Sequence, residues 1–365
     1  MSDPDRPTDR IAVDAFADRL LGSALGAFET LSVHIGDRLD WYRRLAERGP
    51  LTSVELAEES GTSERYTREW LEHQAVSGIL EVDDAAAAPS ARRFALPPAH
   101  AEVLTDDRSL AYLAPVARII ASAAVQLPAL LEAARAGGGV PWARFGADMR
   151  DAQGDVNRPL FDRRLADALA GVAELDAILR RPDARLVDVG CGHGWSTLAL
   201  ARAYPEAHVD GVDVDGPSIE AARAHAAEAG LSDRVAFHLD GGEGLEGEDA
   251  YDAGFVFEAL HDMPHPVEVL GAMRRAVRDD GAVVIMDEAV AERFAPDGDD
   301  VERIMYGYSL FICLPDSLST PGSVGTGTVM RPAVLEGYAR EAGFASTETL
   351  PIDDFGFFRF TRLRP

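Results

Sequence analysis

Leu186-Val187-Asp188-Val189-Gly190-Cys191-Gly192-His193-Gly194-Trp195-Ser196 is the stretch whose reading decides the fold. An apolar run rich in β-branched residues ends in Gly-x-Gly-x-Gly and passes into Ser196-Thr197-Leu198-Ala199-Leu200-Ala201. The pattern predicts a buried strand, a tight turn and a helix, with bare backbone at the carboxyl end of a sheet where a nucleotide-like ligand can approach. A dinucleotide fingerprint, Gly-x-Gly-x-x-Gly/Ala, needs a small residue where Trp195 stands, and starting it at Gly192 meets Thr197 instead. Asp188, inside the strand, would also repel a pyrophosphate. A ligand with a cationic group and no phosphate fits this loop better.

The downstream strands carry acids in step with the loop. Val209–Asp213 reads as a second strand whose terminal acid lies 23 residues beyond Gly190, with two carboxylate oxygens to accept a ribose diol. A helix over Ser218–Ala229 follows. Val235–Leu239 is a third strand, ending at Asp240, which could meet an adenine amino group. Tyr251–Phe257 is a fourth, ending at Glu258, and Ala282–Asp287 a fifth, followed by Glu288. If the sheet is parallel, the first four strand ends lie on one rim.

With these residues in place, 156–365 resembles the class I S-adenosylmethionine-dependent methyltransferases. The resemblance implies that Gly190, Gly192 and Gly194 pass close to the methionine and ribose of S-adenosylmethionine, that Asp213 takes the ribose and that Asp240 takes the adenine edge. Asp188, Val214, Gly241 and Glu258 complete the expected cofactor set. It also implies an α/β fold, a Rossmann-like seven-stranded doubly wound sheet ending in Arg331–Ala342, Ser346–Leu350 and Phe355–Leu363. Asn157-Arg158-Pro159, Glu258–Met263 and Gly327–Pro332 are similar to a bacterial and archaeal group with a winged-helix domain ahead of the catalytic fold, some of them labelled regulators. No substrate follows from the resemblance.

Composition narrows the classes of partner. The chain has 365 residues, 47% of them hydrophobic, and a formal charge of −27. It contains no lysine, so a lysine nucleophile or Schiff base is excluded. Nucleic-acid binding rests on cationic patches that release counterions, so the charge balance disfavours a polyanion partner. An excess of acid without lysine fits a salt-adapted or GC-rich source. Met1–Asp5 shows no leader pattern, and no stretch approaches a membrane span. Cys191 and Cys313 are expected as reduced thiols, and the protein is expected to be cytoplasmic.

Ahead of the catalytic fold, residues 11–47 have helical periodicity. Thr52 or Ser53 can cap a short helix that Gly61 stops, and Thr62-Ser63 can cap the next, through Tyr66, Trp70, Leu71 and Ala75. Gly78–Val82 and Arg93–Leu96 then pair as a wing. This predicts an all-helical and winged-helix domain over 1–155, with the catalytic domain over 156–365. Residues 51–104 hold four arginines against ten acids, three of them on the would-be recognition helix. Small-molecule O-methyltransferases use a similar domain to dimerise and to close over the substrate, so a homodimer is expected rather than a DNA reader. Apolar helices over Leu110–Ala124 and Leu127–Ala136 are expected to wall the substrate chamber.

Methyl transfer from a sulfonium is an in-line displacement, and a hydroxyl or ammonium acceptor must also lose a proton. His261, three residues after Glu258, is the candidate base. Related O-methyltransferases carry His-Asp-Trp at this point with the histidine as base; here the segment is His261-Asp262-Met263. Asp262 can orient a ring or cap the helix that Pro264 begins, and capping is the expected role. Met305, Tyr306 and Tyr308, in the insertion after the fifth strand, are expected to line an apolar or aromatic acceptor. Asp262, Asp287 and Glu288 lack the pattern of a magnesium-dependent catechol site, and no metal is expected. The reading is therefore methyl transfer to a small molecule, first to oxygen. The alternatives are a cofactor-sensing transcription regulator and an enzyme using the cofactor for other chemistry.

Overall fold

The structure, a computed structural model, describes residues 10–365. Met1–Asp5, read above as carrying no leader, lies outside the described residues. The chain divides into two compact units, one through Ala121 and the other Ser122–Pro365.

In the first unit, helix Arg10–Arg38 is followed by Trp41–Arg48; the break falls at Asp40, whose left-handed backbone (φ 60°) turns the chain. Helix Ser53–Ser60 opens on a capping box. Glu55 N donates to Thr52 Oγ1 at 3.2 Å and Thr52 N donates to Glu55 Oε2 at 2.8 Å, while Gly61 (φ 66°) closes the helix. Helix Glu64–Val76 follows, then an antiparallel wing of β1 (Glu81–Val82) and β2 (Phe94–Ala95). The wing strands are short because Gly78 (φ 74°) turns the chain where the strand was expected to open. Trp41, Tyr42, Leu45, Leu56, Trp70, Leu71 and Phe94 form the core. Gly36 is indispensable to it, since a Cβ there would lie 2.4 Å from the Trp70 ring.

The second unit is built on a seven-stranded sheet. Its strands are β3 (Arg185–Val189), β4 (His208–Asp213), β5 (Val235–Leu239), β6 (Tyr251–Phe257), β7 (Val277–Glu288), β8 (Ser346–Thr349) and β9 (Phe358–Arg364). The spatial order is β5-β4-β3-β6-β7-β9-β8, with β3 to β7 parallel and β8 and β9 antiparallel. Alternation puts Leu186 and Val187 into different cores on the two faces, so both faces are covered, as a parallel sheet requires. β7 starts before the expected Ala282 because Val277 pairs with Tyr251 across an irregularity. β9 starts after the expected Phe355, whose ring instead packs edge-on against Phe360, 5.0 Å away.

Helix Gly146–Ala170 runs unbroken across the 155/156 boundary and through Pro159, burying Met149, Ala152, Phe161, Leu165 and Leu169. Residues 122–155 thus group with the sheet rather than with the winged helix, whereas the sequence places them in the amino-terminal domain. Among the described residues, no single helix is long and apolar enough to cross a membrane.

Candidate active site

The glycine loop follows from backbone conformation and close packing. Gly190, Gly192 and Gly194 all have positive φ, at 78°, 50° and 78°. A Cβ on Gly190 would stand 2.6 Å from Ala259 Cβ, and one on Gly194 2.6 Å from the Phe237 ring, so these two also seat the loop on its neighbours. Gly192 has nothing within 4 Å of its Cβ position and faces open space. Asp188 does not: it is fully buried, and its Oδ2 accepts from Ser196 Oγ and Thr197 Oγ1, each at 2.6 Å. It pins the start of helix Trp195–Ala203 to β3, and burial pushes its carboxyl up to about 6.

Asp213 closes the loop from β4. Gly192 N donates to its Oδ2 and Asp215 N to its Oδ1, both at 2.8 Å. Each oxygen keeps lone-pair capacity for a diol. Val214 beside it is 76% exposed, an apolar surface next to that carboxylate. Asp240 is exposed at the end of β5 and accepts from Gly241 N at 2.8 Å. Loop, buried carboxylate, exposed valine and outer acid thus follow one another along the carboxyl rim of β3, β4 and β5, an arrangement that could hold an adenosyl group.

Helix Gly146–Ala170 covers this rim. Arg150 makes a two-pronged ion pair with Asp215, Nε to Oδ2 at 2.7 Å and Nη2 to Oδ1 at 2.9 Å. Arg158 lies over the Trp195 ring at 4.2 Å. Gly154 approaches so closely that a Cβ would meet His193 Nδ1 at 2.8 Å. Asn157 Nδ2 donates to Glu258 Oε2. The sequence singled out Asn157-Arg158-Pro159 as part of a resemblance but gave neither residue a partner, and Arg150 carried no signal.

At the end of β6 the chain adopts a backbone that side chains rarely take. Glu258 has φ 53°, and burial pushes its carboxyl up to about 7. His261 follows, 2% exposed. Its Nδ1 is 2.7 Å from Asp287 Oδ1 and 3.4 Å from Glu288 Oε2, both at the end of β7, while Nε2 is 3.3 Å from Asp262 Oδ1. Burial disfavours the imidazolium, but the three carboxylates outweigh it and hold the ring's affinity for a proton well above normal. Asp262 thus faces the imidazole and does not cap the next helix, Pro266–Ala276, which is entered at His265 with no side-chain cap. Asp287 and Glu288, considered above only for metal binding, orient the ring.

The insertion supplies helix Asp300–Tyr308, a π-helical turn over Ser309–Cys313 and helix Leu314–Ser317. Of the three residues expected to line the acceptor, Tyr308 shares the electrostatic surroundings of Glu258 and Glu288, and burial pushes its phenol up to about 12. Met305 is buried in the protein, and Tyr306 is 42% exposed with its hydroxyl accepting from Arg331 Nη2 at 3.2 Å. The segment after helix Leu127–Ala136 packs on the insertion: Val140 N donates to Pro315 O at 2.8 Å and Trp142 N to Asp316 Oδ1 at 2.7 Å. Two groups could offer ligands to a metal, His261 with Asp262 and Cys313, and His261 with Asp287 and Glu288. In the second, the 2.7 Å Nδ1–Asp287 contact is a hydrogen bond, closer than two ligands of one tetrahedral ion normally stand.

Comparison with known proteins bears on this arrangement. Residues 180–308 match the model of a methyltransferase domain, and residues 27–106 that of an Rv2258c-like winged HTH domain. Over 142 residues the chain is 32% identical to a 27-O-demethylrifamycin SV methyltransferase of Amycolatopsis mediterranei, which covers 39% of this chain and 50% of that protein. Over 125 residues it is 34% identical to a tRNA (guanine-N(7)-)-methyltransferase of Leifsonia xyli, covering 34% of this chain and 54% of that protein. The chain thus spans about half the length of these curated relatives. The structure of the mitomycin 7-O-methyltransferase MmcR superposes with a TM-score of 0.71 at 22% identity, covering 97% of this chain and 99% of that one. Human N-acetylserotonin methyltransferase, solved with S-adenosylmethionine, gives 0.68 at 16%, covering 100% and 99%. NcsB1, solved with S-adenosylmethionine and 2-hydroxy-5-methyl naphthoic acid, gives 0.59 at 20%, covering 92% and 95%. These likenesses show the fold.

Proposed function

We propose that this chain, in which residues 27–106 match a winged HTH domain and residues 180–308 a methyltransferase domain, uses S-adenosylmethionine to methylate an oxygen of a small-molecule acceptor. The observation that carries this reading is the His261–Asp287 pair standing beside the glycine loop on the same rim. Gly190, Gly192 and Gly194 would hold the methionine and ribose end, Asp213 the diol, Val214 and Asp240 with Gly241 the adenine. S-adenosylmethionine supplies an electrophilic methyl group. His261 donates through Nδ1 to Asp287, which leaves Nε2 to take the acceptor's proton; Asp262, Asp287 and Glu288 then stabilise the imidazolium. Asn157 and Arg150 hold the covering helix over the site.

Two further calls rest on the first unit. The apolar stripe Leu21, Leu25, Phe28 and Ile35 on helix Arg10–Arg38 stays exposed in the single chain, Phe28 at 67%, which supports a homodimer built on that helix. Arg65, Arg68, Arg92 and Arg93 are each paired with a glutamate, which supports a winged helix that does not take up nucleic acid. Calorimetry with S-adenosylmethionine and S-adenosylhomocysteine tests the donor site, and detecting S-adenosylhomocysteine on incubation with candidate phenols tests transfer. Absence of heat with both nucleosides would sink the assignment.

A further inference from the structure

The loop after β6 and the π-helical turn of the insertion bring three chemically different donors together. One nitrogen of His261, one oxygen of Asp262 and Sγ of Cys313 lie within 4.8 Å of one another. Nδ1 is taken by Asp287 at 2.7 Å, so the nitrogen on offer is Nε2, 3.3 Å from Asp262 Oδ1. Ligands about 2.0–2.3 Å from a tetrahedral zinc ion stand roughly 3.3–3.6 Å from each other. Nε2 and Oδ1 already keep that separation, and Sγ has at most about 1.2 Å to travel to reach it. The Nδ1–Asp287 hydrogen bond is the partner that a metal-bound histidine usually has, since it fixes the tautomer and aims Nε2 at the ion. The packing of Cys313 points the same way. It ends the π-helical turn Ser309–Cys313, a form found mostly as single turns at functional sites. The hydroxyl of Thr328, 2% exposed, lies beside the thiol, where it can donate to a thiolate. The Asp262 side chain is 37% exposed and Cys313 is half-buried, which gives an ion and a fourth, water ligand a way in.

We infer that His261 Nε2, Asp262 and Cys313 form a binding site for one divalent cation of the zinc type. On binding, the thiol releases its proton to solvent, and Sγ, Nε2 and the carboxylate each donate an electron pair to the ion, with no change of oxidation state. Thiolate and imidazole select zinc or cobalt over magnesium and calcium, which take oxygen ligands. The site stands whether or not the methyl-transfer reading holds. Where that reading holds, the ion occupies the nitrogen that would accept the acceptor's proton, so zinc is an inhibitor of transfer and not its cofactor.

The test uses the full chain, stripped with a chelator and titrated with cobalt(II). Its thiolate charge-transfer band and its tetrahedral visible bands report ligand and geometry without any turnover. One equivalent should bring up both sets of bands, and zinc should abolish them one for one. The chain holds two thiols, Cys191 and Cys313, so Cys313→Ser assigns the charge-transfer band. That variant should lose the band and bind zinc at least about tenfold more weakly, and Cys313→Ala gives the same readout should the serine variant fail to fold. Asp287→Asn should keep the band and weaken zinc by about 10–100-fold. Thermal unfolding shows whether each variant is folded, and calorimetry with S-adenosylhomocysteine tests the donor site separately. The inference is overturned if no charge-transfer band forms or if the band survives replacement of Cys313. Cobalt taken up at several places without tetrahedral bands would also overturn it, as an adventitious ion only.

Discussion

At the scale of single residues, the proposed chemistry turns on His261 and the carboxylates that grip it. Replacing His261 with Ala should slow turnover by about 10²–10⁴-fold with little change in cofactor affinity, and unchanged turnover would remove it as the base. The surrounding acids hold its proton above the usual histidine range, so the neutral form needed to accept a proton is scarce at pH 7. Turnover should therefore climb by up to about tenfold per pH unit until the ring's folded-state pKa is passed, and a flat profile from pH 6 to 9 would refute the role. The sign for stability is opposite. A histidine whose folded pKa is raised contributes stability that is full below pH about 6.5 and fades as pH rises toward the folded value. Melting temperature should thus fall over the range in which turnover rises. Gly194 offers a second check, because an added methyl meets both a left-handed backbone and the Phe237 ring. Gly194→Ala should destabilise the second unit by about 1–3 kcal/mol, measured by denaturant unfolding.

At the scale of elements, helix Gly146–Ala170 is the piece whose position matters most. It reaches the donor loop through Arg150, Gly154 and Arg158 and the acceptor side through Asn157. Its ion pair to Asp215 is mostly buried and two-pronged, and Asp215 also caps helix Gly216–Glu228 by accepting from Ser218 N at 3.1 Å. Arg150→Ala leaves that carboxylate without its cation, so affinity for S-adenosylmethionine should weaken by roughly tenfold or more while the sheet stays folded. Equal affinity in the variant and the parent would mean that the helix covers the loop without holding it. The sequence reading placed a domain boundary inside this helix, and the two ends of its packing explain the difference. Met149 and Ala152 are as buried as Leu165 and Leu169, yet the stretch between them is mostly polar and contains a proline, with Pro159 and Phe161 its buried residues. Periodicity measured over a short window loses a helix whose apolar positions are interrupted by such a stretch.

At the scale of the whole molecule, the exposed stripe of helix Arg10–Arg38 is what a single chain leaves unresolved. Phe28→Glu should shift a dimer toward monomer in sedimentation velocity at micromolar protein, and an unchanged sedimentation coefficient would place the contact elsewhere. The loop and strand-end acids of the proposed donor half are legible in the sequence because each of these parts is local. A glycine turn and two acids, Asp213 and Asp240, sit at the ends of apolar runs, and strand periodicity brings those ends to one rim without further information. The acceptor half has no such signature. Asn157 meets Glu258 across 101 positions, and Asp287 meets His261 across 26. Nothing in the residues next to Asp287 and Glu288 distinguishes them from the many acids of so acidic a chain. The sequence by itself determined the sheet, the loop and the kind of cofactor, since short-range pattern dictates them. Tertiary structure alone decided that four carboxyls converge on one imidazole, because that grouping depends on which strand ends, helix and insertion pack together.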